Sequence, residues 1–70
     1  MDMQRVESSN IESVGYDPET QQLQVRFTNG SLYQYDDVPA EVHQDLMGSD
    51  SIGTQLHQAV KGTYPHTRLE

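Results

Sequence analysis

The sequence predicts an α+β domain, a three-stranded antiparallel β-meander followed by two short amphipathic helices packed on one face. Three observations predict it. Apolar residues alternate with period two up to Tyr35 and then recur every three to four residues after Pro39. An Asn29-Gly30 pair, the strongest short-range hairpin signal, separates two of the alternating stretches. The chain has 70 residues, enough for one small core and no second domain.

Residues 1–7 are polar and without period and are expected to form a flexible N-terminus, with residues 8–64 as the single domain. Residues 65–70 are expected to be a flexible tail, and the closing Leu69-Glu70 ends it as a cloning scar would. The first strand carries Ile11, Val14 and Tyr16 and stops at Asp17-Pro18, which suit the first two positions of a type I turn. In the second, Leu23, Val25 and Phe27 share one face and Gln22, Gln24, Arg26 and Thr28 the other. The third is the return stretch SLYQY after the Asn-Gly turn.

Pro39 suits the first position of a helix, Glu41 complements its N-terminal dipole, and Val42 and Leu46 share a face up to a left-handed cap at Gly48. Ser51 is a plausible cap for a second helix, whose Ile52, Leu56 and Val60 recur every four residues before Lys61-Gly62 closes it. Helices of about ten residues are marginal alone, so both must lie on the sheet face bearing Leu23, Val25 and Phe27.

Tyr33 and Tyr35 sit one residue apart, and their direction depends on the turn. A two-residue turn places Phe27 opposite Leu32 and sends both rings to the face away from the core. A three-residue turn with Gly30 in the left-handed bulge position places Phe27 opposite Ser31 and Val25 opposite Tyr33, turning both rings inward. The bulged register buries two rings of about 150–250 Å² each at the expense of one leucine, so it is the favoured one.

Eleven acids against four bases give a formal charge of −7, and the bases Arg5, Arg26, Lys61 and Arg68 are scattered. Nucleic acid is disfavoured as a partner, because sequence-independent affinity comes from clustered cations on phosphates. With no cysteine, no apolar run long enough for a membrane span and no secretory signal pattern, the chain reads as cytoplasmic.

No enzyme is expected. His43, His57 and His66 lack a paired metal-binding spacing, and each reads as a surface histidine. Asp36 and Asp37 read as helix-start acids, while Ser8 and Ser9 lack a nearby base or a glycine-rich elbow. No catalytic residue, metal or cofactor follows from this inventory.

The ordered set SSNIESVGYD, LQVRF, NG, YQY, VP, the serine and glycine of SIG, and KGTY resembles the KTSC domain, from about Ser8 to Tyr64. That family is named for a C-terminal extension of some lysyl-tRNA synthetases and also occurs as small stand-alone bacterial proteins. TQLHQ after Gly53 departs from the family's more aromatic stretch ending in asparagine. The family has no established activity, and its link to a synthetase has prompted the suggestion of RNA binding. On that reading Tyr33, Tyr35 and Tyr16 would stack bases while Arg26 and Lys61 touch phosphates. The charge of −7 favours instead a module binding an unknown protein partner through a sheet edge or the tyrosine-bearing face. The chain is expected to be a monomer, since Asp36, Asp37 and Pro39 discourage pairing at the third strand.

Overall fold

At Asn29-Gly30 the chain reverses through the bulged turn. In the computed structural model, which describes residues 1–70, the Phe27 amide donates to the Ser31 carbonyl at 2.8 Å and the Gly30 amide to the Phe27 carbonyl at 2.9 Å. Gly30 has φ +94°, a left-handed value that glycine adopts without steric cost. The Asn29 side-chain oxygen accepts from the Ser31 amide at 3.0 Å, fixing the tip.

The hairpin lies within one antiparallel sheet whose strands neighbour one another in chain order. They are β1 (Met3–Arg5), β2 (Ile11–Asp17), β3 (Gln22–Phe27), β4 (Leu32–Tyr35) and β5 (His66–Arg68). Two helices, α1 (Ala40–Met47) and α2 (Ile52–Ala59), fall between β4 and β5. The α+β class and the central meander match the sequence expectation, but the sheet has five strands rather than three. Both extra strands are three residues long with every side chain exposed, so they carry no apolar alternation from which to be read.

Along β3, Leu23 and Val25 are fully buried, and their partners across the ladder are Tyr35 and Tyr33. Residues 11 and 14 of a regular strand would point to opposite faces. A register shift between Ile11 and Ser13 inserts Glu12 as an extra residue, so Ile11 and Val14 both reach the core. At Gly15 a Cβ would lie 2.5 Å from the Met3 sulfur and 3.0 Å from the Asp2 carbonyl, and its absence lets β1 settle on the outer side of β2.

The helices bury Leu46 from α1 and Ile52 and Leu56 from α2, joined by Val38 and Val60 beyond the helix ends. Pro39 is the extended residue before α1 (φ −65°, ψ 153°) rather than its first helical residue. Gly48 closes α1 with right-handed geometry (φ −89°) instead of the left-handed cap expected there. Ser51 precedes α2 without capping it, its hydroxyl donating to the Thr54 hydroxyl at 3.0 Å.

Candidate functional site

The end of α2 brings Lys61 back over the β3–β4 hairpin. The Lys61 amide donates to the Leu56 carbonyl at 2.9 Å, and the next residue, Gly62, turns the chain away at φ +80°. The Lys61 ammonium then sits 5.1 Å from the centre of the Phe27 ring, within the range of a cation–π contact. Phe27 in turn meets Tyr33 edge-on, with ring centres 5.5 Å apart at 85°.

Three open concavities border Lys61. One of about 340 Å³ lies between Asn10, Phe27, Asn29 and Gly53, joining the start of β2, the hairpin tip and the first turn of α2. A second, of about 490 Å³, runs along Ser8, Asn10, Gly53 and His57 to the acids Glu7 and Asp50. The third, about 200 Å³, continues along Phe27, Ser31, Tyr33 and Tyr35. The Ser8 hydroxyl accepts from the Asn10 amide at 3.3 Å and holds the loop before β2 in place. Hydrogen bonds along these walls join hydroxyls, amides and backbone, and none joins a serine to a histidine base.

The five residues singled out from the sequence divide into three places. Tyr33, Tyr35 and Lys61 share the third concavity. Tyr35 is core, only 2 % exposed, and burial, followed by the neighbouring Tyr33, raises its hydroxyl pKa. Tyr33 is half-buried and presents one flank to His66 at a ring separation of 5.9 Å. Tyr16 lies beneath α1, stacked on His43 with ring centres 4.6 Å apart and 10° between planes. Its hydroxyl donates to the Val38 carbonyl, and burial, then the charge of Asp17, raises its pKa. Burial likewise holds His43 below the ordinary histidine value.

Arg26 stands on the sheet face away from the helices, opposite Leu32. It donates to the Gly30 carbonyl at 3.0 Å and pairs with Glu70 at 3.1 Å, the hydrogen bond it donates to the Glu70 carboxylate holding its charge. Thus Tyr16 and Arg26 do not join the tyrosines and Lys61 in one site. Asn10, Phe27, Asn29 and Gly53, which do line the Lys61 face, carried no chemical signal singly. Their trace in the sequence was that SSN, NG and SIG stood among the stretches that carry the family resemblance.

No group of three or more His, Cys, Asp or Glu side chains gathers to hold a metal ion. No helix is long and apolar enough to cross a membrane.

The KTSC domain model matches residues 7–64. The chain is similar to a KTSC domain protein of Yersinia pestis of known crystal structure, at 36% identity and TM-score 0.93, covering 99% of this chain and 97% of that one. It is 49% identical over 61 residues to an uncharacterised protein of Stutzerimonas stutzeri, covering 84% of this chain and 86% of the relative. It is also 36% identical over 63 residues to lysine–tRNA ligase of a Nostoc species, covering 90% of this chain but 11% of that enzyme.

Proposed function

The chain belongs to the KTSC domain family, and we propose that it is a non-catalytic recognition module that docks a protein partner on the face around Lys61. The observation that carries this reading is the meeting of three concavities at the cation Lys61 on a chain of net charge −7. The walls offer amide and hydroxyl groups for hydrogen bonding and a ring for packing, the mixture found in polar protein interfaces.

The relatives support the reading. A unit of the same extent stands as nearly the whole of one small protein and as about a tenth of a tRNA ligase. Such an appendage suits attachment and recognition better than a reaction of its own. RNA is the weaker reading here, because the core position of Tyr35 leaves it no free ring face for a base. Stacking on Tyr33 alone contributes about 1–3 kcal/mol, against the repulsion of a chain carrying −7.

The test uses the full tagged chain to recover binding proteins from its own cell extract, with and without nuclease. One defined partner should be recovered regardless of nuclease, retained by Gln24→Glu on the opposite sheet face and lost with Lys61→Glu. Nuclease-sensitive recovery, or equal retention by both variants, would count against a protein-docking face at Lys61.

A further inference from the structure

We propose that the outer edge of β4 is a strand-acceptor site which β5 holds closed, and that its external ligand is an extended basic segment of a partner protein. That segment carries an aromatic or imidazole side chain two residues before a cation. The proposal deepens the recognition reading and rests on it.

β5 is held by a backbone ladder and by side chains that stay outside the buried core. Tyr33, Gln34 and Tyr35 stand opposite Arg68, Thr67 and His66. The ladder extends through Asp36 donating to the Pro65 carbonyl at 2.9 Å and Leu69 donating to the Leu32 carbonyl at 2.7 Å. All three β5 side chains are exposed, and none belongs to the buried core. An element with so little buried apolar surface opens at low free energy. Opening leaves the β4 amides and carbonyls unpaired beside Tyr33, an edge that another extended chain can complete.

β5 also shows what the edge accepts. His66 lies against both rings, 5.9 Å from the centre of Tyr33 and 5.8 Å from that of Tyr35. Two residues on, Arg68 donates to the Ser31 hydroxyl at 3.3 Å. The residue between them faces the other side of the sheet, as alternation requires. A basic segment also complements the net charge of −7 and the acids Asp36 and Asp37 that follow β4.

The probe is a C-terminally amidated, tetramethylrhodamine-labelled peptide with the sequence of residues 63–69, which keeps His66 and Arg68 and leaves out the acid Glu70, alongside the same peptide with glutamates at the positions of His66 and Arg68. Binding is measured to the full chain and to its Thr67→Pro variant. Proline removes the amide facing Gln34 and frees the edge without touching the core. The variant should bind the basic peptide at least about tenfold more tightly than the unsubstituted chain, because the competent state no longer competes with β5. The glutamate peptide should bind neither. Equal affinity of the two chains, or equal binding of the two peptides, overturns the proposal.

Hydrogen exchange on the unsubstituted chain gives a check that does not depend on the variant folding. The Leu32 and Asp36 amides, bonded to residues 70 and 65, should exchange faster than those of Gly15 and Val25, which lie on the inner ladders opposite Gln24 and Tyr33. Equal protection overturns the proposal. If Lys61→Glu loses the partner while the peptide fails at the edge, the recognition reading stands and the strand site alone falls. If the peptide binds the edge while partner recovery is indifferent to Lys61, it is the Lys61 docking face that falls.

Discussion

Val25 stands opposite Tyr33 across the β3–β4 ladder, and this one pairing directs both tyrosines toward the helices. Two residues along, Leu23 opposes Tyr35 deep in the core, while Tyr33 lies toward the open end beside Phe27 and His66. Tyr35→Ala should therefore cost about 3–5 kcal/mol, the range for deleting a buried aromatic. Tyr33→Ala removes a ring that is only half-buried and should cost about 1–2 kcal/mol, in proportion to the area it covers. Leu32→Ser, on the face away from the helices, should change stability by less than about 1 kcal/mol. Urea midpoints of the three variants check the order, and a Tyr35→Ala protein as stable as the parent would contradict the core assignment.

The register depends on Gly30. A Cβ at that position would have nothing within 4 Å, so a substitution there acts through the backbone alone. Gly30→Ala must hold an L-residue at φ +94° and should cost about 1 kcal/mol or more. Gly30→Asn should cost less, since asparagine tolerates left-handed backbone better than alanine does. Equal midpoints for the alanine variant and the parent would show that the bulged turn is not required.

Tyr16 and His43 fasten α1 to the sheet. Tyr16→Phe loses the bond to the Val38 carbonyl and should cost about 1 kcal/mol. His43 titrates lower in the folded chain than its ordinary 6.5 because burial favours the neutral ring. Its contribution is therefore complete above that value, where both states are neutral. It declines as pH falls through 6.5 toward the folded value, because the unfolded chain takes up the proton first. The stability difference between the parent and His43→Gln should shrink between about pH 7.5 and pH 5. A difference that stays constant across that interval would rule this linkage out.

The two outer strands leave short edges, three residues each, and the surface carries a charge of −7. Sedimentation at about 10 μM should give a monomer, since edges this short offer little to a second copy. A stable dimer at that concentration would show that an edge is self-complementary.

Single-stranded RNA should bind the isolated chain more weakly than about 10 μM even at low salt, for want of clustered cations. Tighter binding with a steep salt dependence would mean that several phosphates are being neutralised and would restore the RNA reading.

The sequence by itself determined the elements whose information is local. Leu23, Val25 and Phe27 alternate whatever surrounds them, Asn29-Gly30 specifies a reversal, and the four-residue recurrence of Ile52, Leu56 and Val60 finds the buried stripe of α2. The class, the meander and the preference for the bulged turn follow from those patterns together with the need of a small chain to bury its rings. Tertiary structure alone decided the rest. β1 and β5 exist because β2 and β4 already present backbone edges, and backbone groups are common to nearly all residues, so no side-chain pattern announces the pairing. The extra residue at Glu12 that turns Ile11 inward is likewise a property of the ladder. Lys61 meets Phe27, Asn10 and Gly53 only because α2 packs back across the hairpin, and Arg26, also a candidate cation in the sequence, falls on the opposite face. Periodicity tells which side of its own element a residue occupies; which elements then face one another is settled by the packing of the whole chain.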